Sequence, residues 1–407
     1  MTSAGPANAA ASPAGWSLRA AGIVALCFAI NMADGIDVTI LSFIAPHLQS
    51  EWRMNAEVMG EMFSAGLLGI AIGGVLVAPL ADRFGRRPII LIALALMSAG
   101  MAASCLVGGP AQLLALRIVV GSGIGTVLAV MAALAAETAP EGGRDLAVGL
   151  VQAGYPFAAV FTGLLVARLL PQHGWRVLLL AAGLVTVVLL PAALFALPRR
   201  LAEAGWARAE RRIGALFTRE FRLRTAALWS AVFFGVMVLY FIVSWIPKLA
   251  IEAGLSETNG IYAGALYNLG AFVGTVAMSL LALRARLGRV VPVMLAAAAL
   301  AMLAFGTFRF SVGLTLGLAF AIGALLQGGY NGVWPLAASA YPAPIRATGV
   351  GWAIGLGRSG AIIGPMLGGA LMSARLSLPL LFAAFCVPLL ACAASAVLVV
   401  RWSRAQS

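Results

Sequence analysis

Residues 31–37 read Asn31-Met32-Ala33-Asp34-Gly35-Ile36-Asp37, inside an apolar run that lies between Trp16 on one side and His47, Gln49 and Glu51 on the other. A carboxylate at the centre of a membrane helix costs roughly 2.5–3.5 kcal/mol. Two of them would not persist against lipid. Asp34 and Asp37 stand three residues apart, which places both on one helix face. They can therefore look together into a protein interior or a wet cavity. Gly35 between them lets a neighbouring helix or a ligand come close to the backbone. This face reads as the lining of a pathway through a membrane.

The composition agrees. The 407 residues are 62% hydrophobic and only 10% charged, with a mean hydropathy of +1.00. A soluble domain carries nearer 25% charged residues, so the chain is expected to cross a membrane many times. The net charge of +13 does not mark a nucleic-acid binder, because the basic residues, all Arg except Lys248, sit in short segments between apolar runs. Cys27, Cys105, Cys386 and Cys392 fall inside apolar runs without ligand spacing, so neither disulfide nor metal is expected. His47 and His173 fall near expected helix ends, where a solvated histidine is the simple reading. Residues 1–17 start without a charged stretch and are expected to form a disordered tail before an uncleaved first span.

Runs long enough to cross about 30 Å at 1.5 Å per residue are expected near 18–46, 56–81, 88–108, 111–138, 145–170, 175–197, 225–251, 258–283, 290–308, 312–340, 347–373 and 378–400. The thinnest division lies at Arg309. An even number of spans puts both termini on one side. The segments on that side hold Arg19, Arg83, Arg86, Arg87, Arg144, the eight Arg between 199 and 224, Arg284, Arg286, Arg289, Arg346, Arg401 and Arg404. The opposite side holds Arg53, Arg168, Arg176, Lys248, Arg309 and Arg375, so both termini are expected in the cytoplasm. The basic break at 199–224 separates a six-helix unit at 18–198 from a second at 225–401, with a short tail at 402–407. Trp206, Ile213, Leu216 and Phe217 recur within the break at roughly helical spacing, as in an amphipathic linker helix on an anionic leaflet. Arg83-Phe84-Gly85-Arg86 and Arg286-Leu287-Gly288-Arg289 echo each other, and repeated six-helix units with a site between them are a transporter pattern.

The segment Ala78-Pro79-Leu80-Ala81-Asp82-Arg83-Phe84-Gly85-Arg86-Arg87 resembles the loop signature of the major facilitator superfamily, with Ala78 where the family usually has Gly. Ala285 replaces the acidic residue in the second copy. Arg117-Ile118-Val119-Val120-Gly121-Ser122-Gly123-Ile124-Gly125 resembles the fourth-helix motif of proton-coupled members; a nucleotide loop would need a preceding strand, and none fits. Asp34-Gly35-Ile36-Asp37, Tyr341-Pro342-Ala343-Pro344-Ile345-Arg346-Ala347-Thr348-Gly349, Gly355-Leu356-Gly357-Arg358 and Gly364-Pro365 are similar to the aromatic acid:proton symporter branch. The chain departs from that branch in its shorter linker and in Trp334-Pro335, where an Asn-Ala pair is usual. Gly154-Tyr155-Pro156-Phe157 lacks the antiporter signature of the fifth helix.

The resemblance implies an all-α fold of twelve spans in two pseudo-symmetric bundles, importing a small aromatic carboxylate with protons across the bacterial inner membrane. Its partners would be the anionic substrate, protons and lipid, with no nucleic acid and a monomeric state. No cofactor is implied, and no nucleophile–base pair, metal cluster or phosphate loop points to an enzyme. Proton coupling is assigned to Asp34, Asp37 and Arg117, since burial and a neighbouring guanidinium set the charge state of a carboxyl; a static ion pair is the plain alternative. Arg358, flanked by glycines, is the expected carboxylate clamp, with an internal pairing to a carboxylate as the plain alternative. Tyr155, Trp245, Tyr267, Asn268, Gln327, Tyr330, Asn331 and Trp334 are expected to hold the ring, with Tyr240 a further aromatic candidate and Asn31 and Gln152 weaker ones. Gating is expected of Asp82, Arg83, Arg86, Glu137, Arg144 and Arg346, where Glu137 either pairs with Arg83 or Arg144 as the halves rock or is a solvated helix end, and Arg346 serves loop packing or gating. Two rival readings are a proton-coupled exporter of drugs or metabolites on the same fold and a non-transporting receptor.

Overall fold

The computed structural model describes residues 16–140, 144–197, 213–282 and 287–404, as helices and short connections with no strand among the described residues. Among the described residues, ten helices are long and apolar enough to cross a membrane. The first four are α1 (Leu18–Glu51), α2 (Ala56–Ile72, running into a π turn at Gly73–Val77), α3 (Arg86–Ala103) and α4 (Pro110–Thr138). Arg144–Ala196 is unbroken except at Gly174, whose φ of 71° lies in the left-handed region open to glycine. The chain reverses there, so this stretch counts as two spans, α5 (144–173) and α6 (175–196). Next come α7 (Arg222–Glu252), α8 (Glu257–Ala282), α9 (Leu287–Thr307) and α10 (Val312–Asn331, resumed at Val333–Ala340). The chain closes with α11 (Ala343–Ser373) and α12 (Leu378–Arg404). Counting α5 and α6 apart and adding the 31-residue α11 brings the ten to twelve. The division at Arg309 holds, because α9 ends at Thr307 and α10 starts at Val312.

Side-chain caps set two of the helix starts. Ser17 Oγ accepts from the Ala20 amide at 3.1 Å, and Asn55 Oδ1 accepts from the Val58 amide at 3.0 Å. Large apolar side chains such as Leu106, Phe195, Leu300 and Val387 point outward, whereas Asn31, Asp34, Asp37, Ser42, Ser64 and Arg117 are buried. That inversion suits lipid, which offers no hydrophobic drive for helices to associate and so favours small residues at their contacts. The two bundles solve this alike. In the first, Gly69 of α2 faces the Ile118 carbonyl of α4, and Gly121 faces the Gly66 carbonyl. In the second, Gly270 of α8 faces the Phe320 carbonyl of α10, and Gly323 faces the Tyr267 carbonyl. The internal repeat is thus present in packing as well as in loop sequence.

The two bundles close on each other near the connections after α1, α7 and α11. Ser42 Oγ donates to the Val243 and Ser244 carbonyls at 3.0 and 2.7 Å. Ser64 Oγ donates to the Ile362 carbonyl at 2.6 Å, and Lys248 Nζ to Gln49 Oε1 at 2.6 Å. His47 Nδ1 lies 2.6 Å from Glu257 Oε1, so this histidine joins the bundles and is more than a solvated helix end. The α11 backbone presses against Gly60 of α2, where an added Cβ would lie 2.7 Å from the Pro365 carbonyl. Gly60→Val is therefore expected to pry this closure open. The check is labelling of Ser64→Cys by a membrane-impermeant maleimide, which should rise several-fold in the Gly60→Val background.

Residues 198–212, including Trp206, lie outside the described set. The rest of the linker packs on the second bundle: Leu216 is fully buried, Thr225 Oγ1 donates to its carbonyl at 3.0 Å, and Phe217 meets Trp229 edge-on. Among the described residues of the linker, Ile213–Leu216 are helical.

Candidate functional site

Asp34 and Asp37 sit mid-way along α1 and are 8% and 5% exposed. Gly35 brings α1 against α5, since a Cβ there would overlap the Tyr155 carbonyl. Asn31 Nδ2 donates to the Val151 carbonyl at 2.5 Å on the same seam, and Thr39 Oγ1 ties back to the Gly35 carbonyl at 2.6 Å. These contacts fix the rotation of α1 and, with it, the direction in which both carboxylates face.

The two carboxylates have different surroundings. Arg117 of α4, 2% exposed, donates through Nη1 to Asp37 Oδ1 at 2.5 Å and through Nη2 to Ser104 Oγ at 3.3 Å. Asp34 Oδ1 has no hydrogen-bond partner among the described residues. A buried charge is tolerable when paired and costly when it is not, so Asp34 is the group left for something beyond the fold to satisfy. A cavity of about 20 Å³, lined by Asp37, Arg117, Phe63 and Ser244 among others, joins the ion pair to the meeting line of the bundles. It has room for about one water molecule.

Across the gap, α11 carries Arg358, half-buried and within electrostatic reach of Asp34, Tyr240 and Tyr330. Gly355 and Gly351 on the same helix have no heavy atom near the place a Cβ would occupy, which leaves open space beside it. Four of the chain's six tyrosines gather here. Tyr155 of α5 lies within electrostatic reach of Asp34, Asp37, Tyr240 and Tyr267. Tyr240 comes from α7, Tyr267 from α8 and Tyr330 from α10. The Tyr267 hydroxyl has no partner among the described residues. Together these side chains bring a cation, a carboxylate oxygen without a hydrogen-bond partner among the described residues and phenol hydroxyls from both bundles within electrostatic reach of one another through Asp34 and Tyr240.

The other expected site residues make contacts within the protein. Trp245 is fully buried at the bundle closure, where its Nε1 donates to the Pro365 carbonyl at 3.0 Å and its ring meets Phe63 edge-on. Asn268 Nδ2 returns to the Gly264 carbonyl at 2.9 Å. Gln327 leans on Asn331, which donates to Thr275 Oγ1 at 2.8 Å, and Trp334 packs edge-on against Tyr330. Among the residues expected to gate, Arg83 is exposed over the Phe84 ring, Arg86 is buried, and Arg346 Nε donates to the Tyr341 carbonyl at 3.3 Å. The side chains of Asp82, Glu137 and Arg144 lie outside the described set. Sequence reasoning did not single out Ser104, Ser42, Ser64 or Glu257, whose roles arise from contacts between distant helices and leave no local pattern.

The family model of the Major Facilitator Superfamily matches residues 26–357. The chain belongs to the major facilitator superfamily. It is a multi-pass membrane transporter and not an enzyme. A gallate transporter of Pseudomonas putida is 32% identical over 377 residues, covering 85% of this chain and 84% of that protein. The 4-hydroxybenzoate transporter PcaK of Pseudomonas aeruginosa is 31% identical over 386 residues, covering 85% of each. The crystal structure of a D-xylose-proton symporter shares the fold, with a TM-score of 0.74 at 16% identity over 94% of this chain and 96% of that one. Facilitator members are built as two six-helix bundles, so the Asp34–Arg358 gap is the interface of the transporter's two halves.

Proposed function

We propose that this transporter imports a small aromatic carboxylate together with protons, by alternating access, across the bacterial inner membrane with both termini in the cytoplasm. The observation that carries this reading is the buried carboxylate of Asp34 on α1, whose Oδ1 has no hydrogen-bond partner among the described residues, within electrostatic reach of Arg358 on α11. An arriving carboxylate takes the guanidinium through two hydrogen bonds, and Asp34 is then favoured in its neutral, protonated form. Substrate and proton thereby enter together. The Asp37–Arg117 pair next to it holds α1 and α4 in register while this happens. The bundles are already sealed near the connections after α1, α7 and α11, which the arginine distribution assigns to the outside. Rocking the bundles breaks these bonds and opens the site to the periplasm. The names of the gallate and 4-hydroxybenzoate relatives support an aromatic acid as cargo. Asp82, Arg83, Arg86, Glu137, Arg144 and Arg346 would steady the opposite, cytoplasmic closure, with Trp245 plugging the outer one.

The test is uptake of a panel of aromatic acids into proteoliposomes, with and without an inward-directed proton gradient. Accumulation several-fold above equilibrium, only when the lumen is the more alkaline side, is expected for an aromatic carboxylate. Uptake indifferent to the gradient, or export driven by proton entry, would overturn symport.

A further inference from the structure

His47 is a titratable group at the bundle closure, well away from the central carboxylates. It stands beyond Asp37 on the same helix, about 15 Å further along at 1.5 Å per residue. Its Nδ1 lies 2.6 Å from Oε1 of Glu257, the first residue of α8, across the line where the bundles meet. That nitrogen makes no aligned hydrogen bond among the described residues, so the contact is held by charge and needs the imidazolium form. A neutral ring would set a lone pair or a misdirected N–H against the carboxylate. The two side chains are 35% and 45% exposed, so both meet the solution on that side while the bundles stay together.

The rest of the closure has little to titrate near neutral pH. Ser42 and Ser64 donate to backbone carbonyls, and Lys248 reaches the Gln49 amide oxygen. The charged groups on the elements packed around this end of α1 have partners or face solvent. Glu51, one turn beyond His47 and within its electrostatic reach, accepts from Trp175 Nε1 and Arg176 Nη1 of α6 at 2.5 and 2.8 Å. Lys248 and Glu252 of α7 lie within reach of each other. On α2, Glu57 and Glu61 are exposed, and Arg53 precedes them in the turn. On α4, Arg117 is taken by Asp37. On α5, Arg168 and His173 are exposed, and the His173 ring sits 3.4 Å from the Leu169 carbonyl of its own helix. Histidine is the side chain that ordinarily changes charge between about pH 5 and 8, and of the chain's two only His47 bridges the bundles.

We propose that His47 is a second proton site, one that draws the outer gate shut when protonated and whose proton is not carried across. This rests on the alternating-access reading, with this closure on the outside. Protonated His47 meets Glu257 when the bundles are together and loses that partner when they part. The closed gate therefore binds the proton more tightly than the open one. By linkage, closure is favoured as the outer pH falls and released as it rises through about pH 5 to 8. The proton arrives from and returns to the same solution, so it governs the gate and leaves the accumulation limit to the central site. Acid outside, which loads Asp34, also shuts the gate behind the cargo.

The experiment measures the distance between spin labels on the purified full chain carrying Gln172→Cys and Thr307→Cys, exposed positions at the outer ends of α5 and α9. Cys105→Ser removes the half-buried native thiol, the other three being buried. Asp34→Asn is present in every sample, so the central carboxyl contributes no titration. The ratio of closed to open populations should rise by about two- to fivefold between about pH 8 and about pH 5, as for a partly exposed ion pair. His47→Gln and Glu257→Gln should each make the ratio indifferent to pH, whereas His173→Gln should not. His47→Lys, a cation at every pH in this range, should hold the ratio at its acid value. A ratio that ignores pH with His47 in place, or a response that survives His47→Gln, overturns the assignment. With Asp34 restored, His47→Gln proteoliposomes should reach the wild-type accumulation limit; a lower limit would make this proton part of the load and also overturn it. A wild type that accumulates no aromatic acid under any proton gradient brings down the symport reading instead, and the distance measurement still decides the gate.

Discussion

Asp34→Asn is expected to abolish proton-driven accumulation while leaving the fold and substrate exchange largely intact, and Asp37→Asn is expected to damage all three. The reason is that only one of these carboxylates is used by the protein itself. Asp37 satisfies Arg117, and removing its charge strands a guanidinium that is 2% exposed. Breaking one side of a buried ion pair typically costs about 3–5 kcal/mol. Asp34 Oδ1 accepts no hydrogen bond among the described residues, so an amide in its place breaks none there. Accumulation under a proton gradient should fall to the equilibrium level in Asp34→Asn, with a melting temperature close to wild type and counterflow retained. Asp37→Asn should melt lower in the same assay, and a second substitution, Arg117→Met, should restore part of that loss without restoring accumulation. Normal accumulation by Asp34→Asn would remove the proposed proton site. Equal thermal damage from both single variants would mean that the division of labour between the two aspartates is wrong.

Arg358→Lys is the second substitution with a large expected effect. Lysine keeps the charge but not the planar fork that meets a carboxylate through two parallel hydrogen bonds. A hydrogen bond to a charged group contributes roughly 1.5–3 kcal/mol, so losing one limb of the fork predicts a rise in substrate KM of about 10- to 100-fold. Maximal exchange rate should change less than KM, because the lost contact is one of binding. Gly355 and Gly351 leave space around Arg358 for the lysine chain to occupy without clash, so the effect is not one of misfolding. Counterflow KM values for the two proteins provide the check. A KM within twofold of wild type would relieve Arg358 of the clamp role and recast it as a standing countercharge for Asp34.

The spans and the pathway-lining helix were legible in the chain because both depend on local quantities. Apolar length marks a span, and an acidic pair three residues apart on one face marks a helix that cannot look at lipid. The same logic placed Arg117 and Arg358 inside the bundle. It did not show which of the expected site residues also have hydrogen-bond partners within the protein. Trp245 and Asn331 look like ring-binding residues in sequence, yet each hydrogen-bonds within the protein, to the Pro365 carbonyl and to Thr275. Tyr240, a secondary candidate on sequence, comes within electrostatic reach of Tyr155, Asp34 and Arg358, and α1 packs against both α5 and α7. The turn at Gly174 is a similar case: the apolar runs on either side were visible, but that one residue reverses the chain between them needed the backbone angles.

Sequence alone determined that this protein is a twelve-span carrier with two carboxylates in its first helix, since hydropathy and the cost of a charge in hydrocarbon act residue by residue. Only the tertiary structure decided that Asp37 belongs to Arg117 and that Asp34 and Tyr267 are left over. That outcome turns on helix rotation and register, set by close contacts such as Gly35 on the Tyr155 carbonyl, between residues 120 positions apart along the chain and adjacent in space.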